Sequence, residues 1–387
     1  MSHFKLLATS TFGLESLVKQ EVVDLGYEIE SVENGKVIFW GDEKAICRTN
    51  VWLRTADRVK IIMGEFKAYS FEELFDQTKN LPWGELLPRD ACFPVEGKSI
   101  KSKLYSVPDC QAIVKKAMVE SMKEVYKQDW FSEEGPMYKV EVALLKDVVT
   151  LSIDTSGSGL HKRGYRAQGS KAPLKETLAA ALVMLSRWWP DTPLIDPMCG
   201  SGTIPIEAAL IGQNIPPGLY REFAASTWPN IPVDIWREVR SEGAQKRSAQ
   251  APFYIAGYDI DQHMVKIAEG NAAKALGENQ AYLRFAQLPL SEIDTEEQYG
   301  KLICNPPYGE RLGEKPEVDD LYLQMGKIFQ ERFPTWSYYV LTPHQSFEQL
   351  FGSKANKKRK LYNGRIRVDY YQYFGPKPPK LRKKGNA

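Results

Sequence analysis

The chain has 387 residues, 43% hydrophobic and 26% charged, the composition of an ordinary globular protein and too long for one typical core. Five cysteines with no CxxC pair and four histidines without ligand spacing argue against a disulfide framework and a zinc site, and the longest helical apolar run, TLAAALVML, is too short to span a bilayer, so the expectation is a soluble cytoplasmic protein without bound metal. The net charge of +2 hides its segregation: residues 354–387 carry twelve Lys or Arg against Asp369 alone, and residues 160–187 carry six against Glu176, a pattern that attracts a phosphate backbone.

In chain order, the first fifty-odd residues read as a small α+β unit. FKLLATS is a strand, GLESLVKQEVVDLG a helix ending on Gly26, and GKVIFWG a strand. A second such unit runs from Thr55 to about Ser156, with RVKIIMGEFKA as a strand, SFEELFDQTKN as a helix capped by Ser70, and CFPVEGKSIKS as a strand. The long helix PDCQAIVKKAMVESMKEVYK then leads to a hairpin in YKVEVALLKDVVTLSIDTS, where Tyr138, Val140, Val142 and Leu144 alternate with polar neighbours. SGSGL reads as a linker and HKRGYRAQGSKAP as a basic, turn-rich junction. Beyond it, helices alternate with the apolar runs TPLIDPMC, YIAGYDI, YLRFAQL, KLICNPPY and WSYYVLT, which predicts an open, mostly parallel α/β sheet. No helix follows RIRVDYYQYF, so the sheet is expected to finish in an antiparallel hairpin. Between Gln213 and Ala251 lies a Pro- and Trp-rich insertion, STWPNIPVDIW included, which reads as a loop-and-helix excursion.

In such a sheet, ligands bind beyond the carboxyl ends of the strands. Three motifs end strands here. In LIDPMCGSGTIPIEAAL, Gly200 and Gly202 allow close backbone approach to a ligand before a helix starts at about Thr203, and the absence of a following Gly-Lys-Ser/Thr excludes a P-loop. Asp196 at the strand mouth disfavours a phosphate and suits an ammonium or sulfonium. In YIAGYDID, Asp259 stands where an acid would bond ribose hydroxyls, although Asp259 or Asp261 could equally cap the next helix. In LICNPPYGE, Asn305 and Pro306 make ordinary turn chemistry, yet two prolines before an aromatic also hold an amide and a ring in fixed relation, as a planar substrate requires.

The order and spacing of these motifs resemble S-adenosylmethionine-dependent amino-group methyltransferases. DPMCGSGTIPIEAA, STWPNIPVDIW, GYDID, NPPYGERL and SGSGLHKRGYRAQGSKAPLKETLAAAL are similar, across essentially the whole chain, to the bacterial ribosomal RNA large-subunit methyltransferase L family, which makes N2-methylguanosine in 23S RNA. The resemblance implies a ferredoxin-like domain at 1–54, a THUMP RNA-binding domain at 55–156 and a Rossmann-like methyltransferase domain at 157–387. It places the cofactor among Thr177, Asp196, Pro197, Met198, Cys199, Gly200, Ser201, Gly202, Thr203, Asp259, Ile260, Gln287 and Asn305. Asn305, Pro306, Pro307 and Tyr308 would form the catalytic loop, and Lys162, Arg163 and Arg166 would guide RNA towards it.

Two departures stand out. No acid follows the third strand in RFAQLPLSEI, where Gln287 would serve the adenine instead, and the chain lacks the second methyltransferase module fused in some relatives, so one activity is expected. The competing readings are a tRNA guanine-N2 methyltransferase, a DNA amino-methyltransferase, and a non-catalytic RNA-binding assembly factor, the last disfavoured by intact Asp196, Gly200, Gly202, Asp259 and NPPY.

Overall fold

Two seven-stranded sheets organise the chain, one in each of two compact units. The computed structural model describes residues 3–166, 174–247, 254–277, 282–309 and 315–379; part of the basic junction, the residues just after NPPYG and the end of the basic tail lie outside them. No helix among the described residues is long and apolar enough to cross a membrane.

The first unit contains β1 (Phe4–Ser10), α1 (Glu15–Asp24), β2 (Ile29–Glu33), β3 (Lys36–Gly41), α2 (Glu43–Trp52), β4 (Ala56–Lys67), α3 (Phe71–Lys79), α4 (Trp83–Leu86), β5 (Val95–Ile100), α5 (Val107–Tyr126), β6 (Val140–Leu145) and β7 (Val148–Asp154). Its strand order is β2-β3-β1-β4-β7-β6-β5, antiparallel except for the β5–β6 pair. β4 pairs with β1 on one side and β7 on the other, so the two α+β segments share one sheet with no linker between them. Local chemistry sets the elements: the Asp42 carboxylate accepts the Ala45 N–H at the start of α2, Ser70 does the same for Glu73 in α3, and Val140, Val142 and Leu144 put the buried face of β6 on the core.

The second unit contains α6 (Glu176–Leu185), β8 (Leu194–Asp196) and α7 (Thr203–Gly212). Past the insertion with its α8 (Val233–Gln245) it continues through β9 (Ile255–Asp259), α9 (Gln262–Leu276), β10 (Leu283–Gln287), β11 (Lys301–Cys304), α10 (Lys315–Arg332), β12 (Ser337–Thr342), α11 (Phe347–Leu350), β13 (Lys357–Asn363) and β14 (Ile366–Tyr373). The order is β10-β9-β8-β11-β12-β14-β13; the first five strands are parallel and β14 is antiparallel to both neighbours. The expected antiparallel finish is present, with one difference. KKRKLYN, which in the sequence reads only as positive charge, is the edge strand β13, and lysines on an edge deter pairing with another chain.

The Trp-rich insertion folds with the first unit, although the expected boundaries put it in the methyltransferase domain. Trp228 stacks on Tyr138 with ring centroids 4.1 Å apart and donates its indole N–H to the Met137 carbonyl at 2.9 Å, while the Tyr138 hydroxyl reaches Asn230 at 3.1 Å. Arg221 donates to the carbonyls of Ser158 and Gly159, and Phe223 stacks on Trp236. Aromatic residues spaced along a proline-rich loop thus serve as anchors for a long excursion. Trp228→Ala removes a buried ring and an indole donor together and is expected to destabilise the first unit by about 3–5 kcal/mol. Denaturant unfolding measures this, and a loss below about 1 kcal/mol would mean that the insertion does not clasp the unit in solution.

Candidate active site

Following the chain from β8, the next two strands are added on one side and β11 and β12 on the other, so the strand order reverses between β8 and β11. Ligands of open α/β sheets sit at this kind of reversal, beyond the carboxyl ends. Ile195 pairs with Leu302, so Asp196 and the Asn305 loop leave the sheet from neighbouring strands. Asp196 is 2% exposed and accepts the Met198 N–H at 3.2 Å. Burial holds its pKa well above the usual carboxylate range; the Met198 N–H opposes this, and the charge of Asp259 adds to it.

The glycine loop between Asp196 and α7 is fixed from three sides. Gly200, at φ 52°, donates its N–H to Asp259 Oδ2 at 2.8 Å. Gly202, at φ 80°, packs so closely that a Cβ there would come within 2.9 Å of Ala268 and of the Phe285 ring. The Ser201 carbonyl accepts Asn271 Nδ2 at 3.0 Å. Asp261, not Asp259, caps α9 by accepting the His263 N–H, and Asp259 Oδ1 accepts the Asp261 N–H at 3.0 Å. A carboxylate has about four acceptor sites, so Asp259 keeps capacity for hydroxyl donors. Gln287 lies in parallel register with Asp259 and donates to the Ile260 carbonyl at 2.9 Å, beside an Ile260 side chain that is 73% exposed.

These residues fit S-adenosylmethionine. A hypothetical Cβ on Gly200 would meet nothing nearer than Met264 Cε at 3.8 Å, so the loop backbone is open to close approach there. Asp196 and Asp259 are carboxyl groups that would suit positive charge and hydroxyl donors, and the exposed Ile260 would suit the face of a purine. Thr177 lies buried in the first turn of α6.

The NPPY loop is held from behind. Asn305 and Tyr308 are half-buried, Pro306 is buried and Pro307 exposed. The Tyr308 hydroxyl donates to Asn305 Oδ1 at 2.5 Å, and Asn363 Nδ2 lies 3.4 Å from that hydroxyl. The buried Tyr322 of α10 donates to the Pro307 carbonyl at 3.0 Å and lies 2.9 Å from Thr342 Oγ1, which accepts the His344 N–H at 3.1 Å. A carbonyl only accepts and a phenol has one proton, so the direction is fixed: Thr342 donates to Tyr322, and Tyr322 to Pro307. Burial raises the Tyr322 pKa and keeps that donor neutral. Nothing in the NPPY spacing announces these partners.

The basic junction differs from expectation. Arg163 is buried, with Nε 3.5 Å from the buried Glu207, which also accepts the Tyr165 hydroxyl at 3.1 Å. Arg166 Nη2 donates to Thr203 Oγ1 at 2.8 Å and to the Leu174 carbonyl, and its Nε lies 3.3 Å from Glu176. Burial raises the Glu176 pKa and Arg166 opposes the rise. The two guanidiniums expected to meet RNA therefore neutralise buried acids of α6 and α7, because an unpaired buried carboxylate is costly. Lys162 alone of the three is exposed.

Residues 163–372 match the RMKL-like methyltransferase domain, residues 5–60 the RlmL ferredoxin-like domain and residues 68–154 the THUMP domain. The chain belongs to this RMKL-like family of THUMP-containing RNA methyltransferases. It is 52% identical over the full length of both chains to "Putative RNA methyltransferase YpsC" of Bacillus subtilis (strain 168). It is 36% identical, over 94% of its length, to "Ribosomal RNA large subunit methyltransferase K/L" of Syntrophotalea carbinolica, of which it spans 52%. The crystal structure of "SMU.472, a putative methyltransferase complexed with SAH" is 45% identical, with a TM-score of 0.92 over 98% of this chain and all of that one. S-adenosylmethionine is the methyl donor of this family member.

Two outcomes follow from the site. Tyr322→Phe should lower methyl transfer by about tenfold or more in kcat while leaving cofactor affinity and Tm nearly unchanged, because it frees one carbonyl behind the reacting loop; an unaltered kcat would reduce Tyr322 to packing. Cofactor binding should also release a proton. Asp196 holds its proton to higher pH than an ordinary carboxylate, so a cationic ligand displaces it, affinity falls in mildly acidic buffer, and Asp196→Asn abolishes the linkage. Calorimetry in buffers of different ionisation enthalpy measures the proton directly.

Proposed function

We propose that the chain methylates the N2 amino group of a guanine in RNA, with 23S ribosomal RNA as the substrate. The observation that carries this reading is the placement of an acceptor-bearing loop, Asn305 and Pro306, on the strand next to the cation-seeking Asp196. S-adenosylmethionine supplies an electrophilic methyl group when bound. Asp259 would hold the ribose hydroxyls, Asp196 the positive end of the amino acid, and Ile260 and Gln287 the adenine.

An exocyclic amino group on a base is a poor nucleophile because its lone pair is delocalised into the ring. Asn305 Oδ1 takes one bond from Tyr308, and an amide oxygen has a second lone pair for an amino N–H. With the Pro306 carbonyl accepting the other N–H, the nitrogen is drawn towards tetrahedral geometry and its lone pair is aimed. The Tyr308 ring, tethered through its hydroxyl, would stack on a base taken out of its helix.

The ribosomal assignment rests on likeness to the large-subunit relative, half of whose length the chain spans. The junction and the insertion that carry this resemblance also have structural work of their own in Arg163, Arg166 and Trp228. Mass analysis of nucleosides from a deletion strain should show loss of N2-methylguanosine from one position of 23S RNA. Loss from tRNA, or loss of a methylated adenosine, would refute the assignment.

At the residue level, Asn305→Ala should reduce transfer on the order of 10²–10³-fold with cofactor binding retained, as for removal of a group that acts only on the reacting atoms. Asn305→Asp should keep partial activity, because a carboxylate still accepts. Tyr308→Phe should retain much activity and Tyr308→Ala little. If Asn305→Ala melts the protein while Tyr308→Ala is silent, the loop is only a turn.

A further inference from the structure

At one end of the first unit's sheet, the β6–β7 hairpin turn, the loop after β5 and the end of β4 converge. Lys146 donates its backbone N–H to the Ile100 carbonyl at 3.1 Å, Asp147 accepts the Lys103 N–H at 2.6 Å, and the Ala68 N–H reaches the Asp147 carbonyl at 3.1 Å. The side chains gathered here are basic and aromatic. Lys67, Lys101, Lys103 and Lys146 are exposed, Lys103 Nζ lies 4.9 Å from the centre of the Tyr69 ring, and Tyr105 is 83% exposed. Lys98, further from the tip on β5, pairs with Glu141 at 3.1 Å, whereas none of these four lysines enters an ion pair among the described residues.

The backbone supplies a second observation. Lys101, Lys146 and Asp147 are three of the eight non-glycine residues at positive φ among the described residues. The two-residue connection Lys146-Asp147 has both φ values positive, at 52° and 64°, as a type I′ turn requires, and such a turn favours Asn-Gly. The carboxylate and carbonyl of Asp147 both hold neighbouring strands, which accounts for its place. Lys101 and Lys146 have no such local bonds for their side chains, yet they occupy a conformation that disfavours lysine. Residues held at positive φ against their preference cluster at ligand clamps and active sites, so the two lysines mark this tip as a candidate site.

We propose that this lysine–tyrosine tip binds a single-stranded segment of the RNA substrate, the lysines meeting phosphates and Tyr105 and Tyr69 stacking unpaired bases. Exposed aromatic faces among cations serve single strands, whose bases are free to stack, and offer little to a duplex, whose bases are already stacked. The inference rests on RNA being the substrate and is independent of which guanine is modified.

The test is fluorescence anisotropy of the full chain with a labelled single-stranded oligoribonucleotide and with its duplex, read without methyl transfer. Replacing Lys101, Lys103 and Lys146 together by Ala should weaken single-strand binding tenfold or more and reduce the slope of log affinity against log salt by about 2. Tyr105→Ala should weaken single-strand binding roughly tenfold with the salt slope preserved, and should leave duplex binding unchanged. Lys146→Asn suits the turn better than lysine, so it should hold or raise Tm while weakening RNA binding. Unchanged single-strand affinity in the folded triple variant would overturn the site, and equal losses on duplex and single strand with Tyr105→Ala would overturn the stacking role. Either failure would leave the cofactor binding and Asn305 behaviour of the second unit intact, which separates it from failure of the methyltransferase reading.

Discussion

The reversal of strand order between β8 and β11 is the constraint on which the candidate active site depends. Parallel strands deliver their carboxyl ends to one edge, and at the reversal two adjacent ends diverge, so Asp196 and Asn305 come together without any motif spanning both. The arrangement has a cost. Asp196 sits buried near another carboxylate, and its pKa is raised in the fold. A group whose folded pKa is raised stabilises the native state while protonated and loses that contribution as pH rises through the folded value. Ionised Asp196 is therefore a destabilising element that a cationic ligand would offset.

Rigidity at the loop of Asn305 to Tyr308 has two sources of different range. The prolines restrict φ locally, as the sequence implies. The Pro307 carbonyl is then fixed by Tyr322 from α10, whose hydroxyl is oriented by Thr342 at the end of β12. A loop with fixed dihedrals can still tilt as a body, and the directional bond from Tyr322 restrains that motion. Short-range stiffness and a long-range anchor act on different degrees of freedom, so neither substitutes for the other.

Much of the fold was legible because it depends on local signals. Alternating apolar positions mark β6, Ser70 caps α3, and α7 begins at Thr203 after two glycines that structure places at positive φ. The helix-cap alternative at YDID resolves to Asp261, leaving Asp259 to hold the glycine loop. What was not legible involves partners chosen by tertiary structure. Arg163 looks like any exposed arginine until Glu207, 44 positions away, is found buried beside it. The insertion's aromatics look like an excursion until Tyr138 lies under Trp228. Periodicity reports which face of an element is apolar; it does not say which other element will cover it.

Positive charge in this chain divides by what it neutralises. Arg163 and Arg166 compensate buried carboxylates, and water and salt have little access to those pairs. The lysines of β13 lie along a sheet edge, where charge deters a further strand from pairing. Among the described residues, the four lysines at the tip of the first unit enter no ion pair. Only cations of this last kind can exchange counterions for phosphates, because a guanidinium already committed to a carboxylate must break that pair before it can serve a ligand. A basic cluster in a sequence is therefore weak evidence of a nucleic-acid contact until the partner of each cation is known, and the short hairpin turn carries the better claim because its lysines enter no ion pair among the described residues.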